Sequence, residues 1–454
     1  MKSFNFYHMT DLHYYANEVI GSSGKSYELK NTLDQKCMDE SGAIIDSAFE
    51  NIINDDGTDI VLISGDLTFD GEKQSHDELV KKLVRLQNKG KKVFVTFATH
   101  DFYMHARKYS DEGDTDLPKY GRGELRRIYD AFGYKQALSV HEGSYSYCVQ
   151  LTDDVRLLGL NDDGDFDEYC GYSYDQLKWI EEQVEDAHKN GCEIIAMTHH
   201  PILDPSPIYP LMSHKAMLGG YEFTAPHLAD IGIKYIFVGH THIHDINSLK
   251  TEKGNTLYQI NTASLIAYPL AYRKMTFSDS GMDVKTLQIE KIDADTKGLP
   301  VLEYAKEHFT NMIRLIFDSI ENDYNKFIVL SGGFSGNKEM LLKLQKIIQP
   351  LGAKLNSLTF KSLGRMFCCS GAVDSTIAEK RVVDFLRQVI LNMYSGKETY
   401  SPDTPEYKAM MGICKRLSKV LKIKDYHKNP VDLCELIAGV LYDGGIDDWN
   451  ALLK

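Results

Sequence analysis

The chain of 454 residues has no CxxC pair, no apolar run of membrane-spanning length and no excess of basic charge. Each absence excludes something. The eight cysteines are Cys37, Cys148, Cys170, Cys192, Cys368, Cys369, Cys414 and Cys434, and their spacing matches no zinc finger. Free thiols in a reducing compartment are favoured over a disulfide framework. The opening "MKSFNFYHMTDLHYY" lacks an apolar signal core. With no spanning run either, a cytoplasmic protein with no membrane partner is expected. The formal charge of −14 argues against a grip on extended nucleic acid, which needs a basic face. It leaves a small phosphorylated substrate open, because bound cations invert the local charge of a site. "SGGFSGNKE" (331–339) lacks the Gly-Lys-Ser/Thr ending of a phosphate-cradling loop and reads as a turn.

What is present is alternation. "SFNFYHM", "DIVLIS" (59–64), "VFVTF" (93–97), "EIIAMT" (193–198) and "KYIFVG" (234–239) read as strands. Helical patterns lie between them, over residues 34–54, 75–88 and 173–189. "SYSYCVQL" and "VRLLGLN" suggest a hairpin around Thr152–Asp154, and three more strands follow residue 255. The expected fold is α/β: a two-sheet sandwich flanked by helices over residues 1–298, with an all-helical domain over 299–454.

Five stretches place Asp or His at the end of a strand, where sites form in open α/β sheets. They are "TDLH" (10–13), "SGDLTFDGE" (64–72), "ATHD" (98–101), "THHP" (198–201) and "GHTHIHD" (239–245). Asp11 and His13 are two apart, as are His240 and His242, so in an extended chain each pair faces one way. Mixed carboxylate and imidazole donors suit Mn, Fe or Zn better than Ca or Mg. A lone histidine is more often structural, and His8, His76, His105, His141, His188, His214, His227 and His244 are left in that class. Five strand-end clusters in one domain are not explained that way.

Taken together and in this order, "DLH", "GD", "ATHD", "HHP" and "GHTH" resemble the calcineurin-like metallophosphoesterases over roughly residues 5–290. "GDLTFDGEKQSH", "THHPI" and the helical extension are most similar to the bacterial cyclic-nucleotide phosphodiesterase-like branch. The resemblance implies two divalent metals. Asp11, His13 and His242 would hold the first, and His199 and His240 the second, with Asp66 bridging. His100 would be the general acid, and a metal-bound hydroxide would attack phosphorus. Phe69 stands where purple acid phosphatases carry a tyrosine ligand, and "GDLTFD" lacks the protein Ser/Thr phosphatase pattern.

One departure stands out. Ala98–Thr99 occupies the family's Gly-Asn, whose asparagine binds the second metal. Thr99 offers only a short hydroxyl in that ligand position, so a weaker second site is expected. The favoured function is hydrolysis of small phosphodiesters such as cyclic nucleotides. A phosphomonoesterase, a nuclease or a metal-poor, non-catalytic nucleotide- or partner-binding relative remain alternatives. His200, Asn161, Tyr268 and Arg273 are candidate substrate contacts, and the acidic run "NDDGDFDEY" (161–169) reads as a solvated loop.

Overall fold

The computed structural model describes residues 2–163, 170–211, 216–335, 338–425 and 428–454. The strands, in chain order, are β1 (Phe4–Met9), β2 (Ile60–Ser64), β3 (Lys92–Thr96), β4 (Arg107–Lys108), β5 (Thr115–Asp116), β6 (Ala137–His141), β7 (Ser146–Thr152) and β8 (Val155–Gly159). They continue with β9 (Glu193–Met197), β10 (Tyr235–Val238), β11 (Asp245–Lys250), β12 (Thr256–Asn261), β13 (Ala271–Ser278), β14 (Gly281–Gln288), β15 (Ile423–Lys424), β16 (Pro430–Val431) and β17 (Asn450–Leu453).

Two sheets dominate. One has the order β17-β14-β13-β1-β2-β3, the other β11-β12-β10-β9-β8-β7-β6. In each, the strands nearest the site run parallel: β1 with β2, β2 with β3, β8 with β9, and β9 with β10. Their carboxyl ends therefore share one edge. Strand alternation explains the layers. Leu157, Ile195, Met197 and Phe237 join Phe6, Val61 and Val95 in the core between the sheets. Their neighbours Leu158, Ile194, Ala196, Ile236 and Val238 point the other way, onto Trp179, Ile180, Val184 and Leu228 of the helices Tyr174–Lys189 and Tyr221–Ile231. A fully buried side chain such as Phe237 contributes about 2–3 kcal/mol.

The helix expected over 34–54 forms only from Ser41 to Ile53. Side chains compete for the preceding backbone: Asp34 accepts from the Lys36 N–H at 3.1 Å and Asn31 from the Met38 N–H at 3.2 Å. The resulting loop reaches the site.

The chain divides into two compact units. The first comprises residues 1–205, 217–308 and 446–454, the second 206–216 and 309–445. The second is mainly helical, with the two-stranded β15–β16 pair, and one of its cores joins Phe360, Phe385, Val389, Tyr400, Ala409 and Leu441. Its helices Pro405–Leu417 and Leu433–Leu441 start at capping side chains, Thr404 and Asp432. The change of periodicity near residue 298 thus precedes the division between units, and the last residues return to the first unit. There β17 pairs with β14, and Leu453 accepts from the Tyr235 hydroxyl at 2.9 Å. No helix among the described residues is long and apolar enough to cross a membrane.

Candidate metal centre

The carboxyl ends of β1, β2, β3, β9 and β10 deliver the five histidine- and aspartate-bearing turns. The pairs do not converge by strand alternation. Asp11, His13, Asp66, His240 and His242 all lie past their strands in the left-handed region, with φ of 52°, 38°, 49°, 67° and 58°. Such backbone is unfavourable for L residues and concentrates at functional sites. Gly65, at φ 85°, completes the β2 turn; a side chain there would press on His199 and Ala98. Ala98 itself is extended (φ −146°), so this position needs no glycine.

Two groups of ligand atoms result. Asp11, His13 and His242 form one, and Asp66, His199 and His240 the other. His242 Nε2 is 3.3 Å from Asp11 Oδ1, and His199 Nε2 is 3.2 Å from Asp66 Oδ2. His13 Nε2 lies 3.6 Å from both Asp11 Oδ1 and Asp66 Oδ2. Asp66 Oδ2 therefore faces both groups, while its Oδ1 accepts the His100 backbone N–H at 3.0 Å. Asp11 Oδ2 caps the His240 N–H at 3.0 Å. Gln35, in the loop before Ser41, places Oε1 3.0 Å from His242 Nδ1, which fixes the ring with Nε2 toward the centre.

These residues fit a pair of divalent cations. Asp11 Oδ1 and His199 Nε2 are buried polar atoms without a hydrogen-bond partner. Buried atoms of this kind are costly unless a ligand meets them. The imidazole–carboxylate donor set matches divalent transition ions.

The electrostatics agree. Burial opposes charge on Asp66, yet His199 and His100 hold its carboxyl well below the usual range. Burial opposes charge on His199 too, and Asp66 and Asp11 nevertheless raise it well above the usual imidazole value, a pull for positive charge that a bound cation would satisfy in place of the proton. Burial, then the Lys36 charge, pushes His13 down to about 3, which keeps it neutral as a metal ligand must be.

His100 sits in the short helix Thr99–Phe102 rather than on a strand. Its Nδ1 contacts the Phe69 carbonyl at 2.5 Å and Asp70 Oδ1 at 2.9 Å. Its ring meets His13 edge-on at 4.7 Å. Asp101 points away and takes the N–H groups of Leu67, Thr68 and Ala98 at 2.8, 3.0 and 2.9 Å, tying the β2 and β3 turns together. Lys30 and Lys36 lie over the Phe69 ring at 4.8 and 4.7 Å, and both pair with the Asp34 carboxylate, at 3.3 and 3.6 Å.

Several expected contacts move. The Thr99 hydroxyl donates to the Asp163 carboxylate at 3.2 and 3.3 Å, so it is engaged away from the ligand role assigned to it. Arg273 is fully buried between the sheets and is no substrate contact. It donates to the carbonyls of Asp448 at 2.5 Å and Asn261 at 2.9 Å, and to Thr262 and Thr286. Asn161 is likewise structural: it accepts the Phe97 N–H and donates to the Tyr145 carbonyl, both at 2.7 Å. Tyr268 packs on the main core. His200 does line the region, its ring 4.0 Å from that of His240.

The acidic run after β8 is not a solvated loop where it is described. Asp162 is fully buried and Asp163 nearly so. Asp165, Asp167 and Glu168 lie outside the described residues. Asp163, Cys170, Asp70 and Gln35 belong to no ligand motif, and Asp162 is marked in the sequence only as a residue after a strand, placed with Asn161 where it could approach the site. The same strand terminus, the end of β8, was the available signal for Asp163.

A family model described as calcineurin-like phosphoesterase matches residues 4–244. No curated protein matches the chain. Among solved structures, a dimetal phosphatase from Danio rerio is similar at 14% identity and TM-score 0.45, covering 64% of this chain and 97% of that one. A purple acid phosphatase from yellow lupin (Lupinus luteus) seeds is similar at 12% identity and TM-score 0.43, covering 65% of this chain and 53% of that one. A Haemophilus influenzae NAD nucleotidase is similar at 10% identity and TM-score 0.34, covering 79% and 62%.

Proposed function

We propose, for a chain that belongs to the calcineurin-like phosphoesterase family, that its reaction is the hydrolysis of small phosphodiesters such as cyclic nucleotides. The observation that carries this reading is the Asp66 carboxylate. Its Oδ2 lies 3.6 Å from His13 and 3.2 Å from His199, between two groups of ligand atoms. Asp11, His13 and His242 would hold one divalent ion, His199 and His240 the other, and Asp66 both. Bound there, Mn, Fe or Zn ions supply Lewis acidity and lower the pKa of water.

The chain's own residues do the rest. Asp11 and Gln35 orient His240 and His242 through the bonds described above. The Phe69 carbonyl and Asp70 both receive His100 Nδ1, which favours a protonated ring and leaves Nε2 for the substrate. From there His100 donates a proton to the leaving oxygen of the ester, a general-acid role.

The test compares bis(p-nitrophenyl) phosphate with p-nitrophenyl phosphate, each with added Mn²⁺. The proposal expects a higher kcat/KM for the diester. Preference for the monoester would replace it with a phosphomonoesterase. Absence of turnover with Mn²⁺, Fe²⁺ and Zn²⁺ alike, in a folded protein that binds nucleotide, would replace it with a non-catalytic binding role.

A further inference from the structure

A third cluster of ligand atoms lies at the end of β8, beside the centre but apart from it. Asp162 and Asp163 follow the strand, and Cys170 returns to the same place. The Cys170 thiol donates to Asp163 and lies 3.3 Å from His200 Nε2. His200 Nδ1 is 3.1 Å from Asp162 Oδ1 and 3.9 Å from Asp163 Oδ1. One ligand atom from each of these four residues lies within 4.8 Å of all the others.

Two features distinguish this cluster from ordinary packing. The first is a division of labour between the carboxylates. Asp162 Oδ2 is taken by the Thr198 hydroxyl at 2.7 Å and by the backbone N–H groups of His199 and His200 at 3.0 and 2.7 Å. Its Oδ1 faces His200 Nδ1. Asp162 is thus a backing carboxylate: a proton on Nδ1 meets its Oδ1, which leaves the Nε2 lone pair facing Cys170. Histidine ligands to metals are oriented in this way. The second feature is burial. Two carboxyl groups that are 0% and 6% exposed and a thiol gather around one imidazole that is 1% exposed. Polar groups buried together in this way are costly unless they are bonded or met by a cation.

Imidazole, thiolate and carboxylate together select zinc-class ions over Mg or Ca. We propose that Asp163, Cys170 and His200 bind a thiophilic divalent cation of the zinc class, separate from the paired ions, with Asp162 and Thr99 as positioning residues. On binding, the Cys170 S–H bond is replaced by a sulfur–metal bond and the proton passes to water. Thr99 holds the Asp163 carboxylate at 3.2 Å, which gives this departure from the family pattern a role. Because the His200 ring lies 4.0 Å from that of His240, tilted by 39°, the ion also stiffens the wall beside the second group.

The full chain is titrated with Co²⁺ and followed by absorption and metal content. Wild type is expected to show thiolate-to-cobalt charge transfer in the near ultraviolet. Cys170→Ser loses that band and about one equivalent of metal. Asp162→Asn lowers affinity for the band-forming ion about 10–100-fold. Asp66→Asn loses metal from the paired groups but keeps the band, which separates this proposal from the phosphoesterase reading. Far-ultraviolet circular dichroism checks that each variant is folded. A wild-type spectrum without the band overturns the proposal whether or not the serine variant folds, and so does a folded Cys170→Ser protein with unchanged band and metal content.

Discussion

His100 Nδ1 lies 2.9 Å from Asp70 Oδ1, with the Phe69 carbonyl 2.5 Å away on the same nitrogen. The ring is held from behind and presents its other nitrogen. If that nitrogen protonates the leaving oxygen, His100→Gln lowers kcat about 10²–10⁴-fold for a diester with an alkoxide leaving group. It has far less effect on a p-nitrophenolate ester, whose leaving group needs no proton. Asp70→Asn loosens the ring and lowers kcat on the order of tenfold to a hundredfold with little change in KM. Steady-state kinetics on both ester types check this. An equal loss for both leaving groups would remove His100 from the proton-transfer role.

Glu72 gives a pH-dependent stability. It is fully buried, and burial, then the Asp70 charge, raises its pKa from 4.5 to about 7. The folded chain therefore holds this proton more tightly than the unfolded chain. Its contribution is fully present below the unfolded value of 4.5 and is lost as pH rises through 7. Glu72→Gln keeps an acceptor for the Asp70 N–H, bonded at 3.1 Å, and removes the titration. Urea unfolding should show the variant more stable than wild type by about 3 kcal/mol at alkaline pH, with the difference vanishing in acid.

Arg273 separates a structural from a substrate role. Its guanidinium satisfies the Asp448 and Asn261 carbonyls between the sheets. Arg273→Met removes these bonds from buried acceptors, and should cost about 3 kcal/mol in chemical denaturation. The KM of the folded variant should be unchanged. A raised KM at unchanged stability would restore the substrate contact.

Much of this centre was legible in the sequence because strand ends carry their own signal. Asp11, His13, Asp66, His100, His199, His240 and His242 follow hydrophobic strands, and parallel pairing brings those strand ends to one edge. The backbone that aims them was not legible, since nothing in "DLH" or "GHTH" announces left-handed φ values. Arg273 and Asn161 misled because polar residues near strand ends look alike whether they face a ligand or another turn. Only the tertiary partners, carbonyls in both cases, distinguish them. Asp163 and Cys170 were hidden for a different reason. They meet although they are seven positions apart in the sequence, and an acidic run is most often solvated.

The proposed phosphodiesterase would hold two ions on a shared Asp66. Mn²⁺-dependent turnover of bis(p-nitrophenyl) phosphate by wild type and by Asp66→Asn, with and without a chelator, decides it. Wild-type turnover is expected that chelation abolishes and Mn²⁺ restores, with a loss of at least about 10³-fold in the folded variant. Wild-type turnover that survives chelation, or an Asp66→Asn protein that retains full activity, would contradict it.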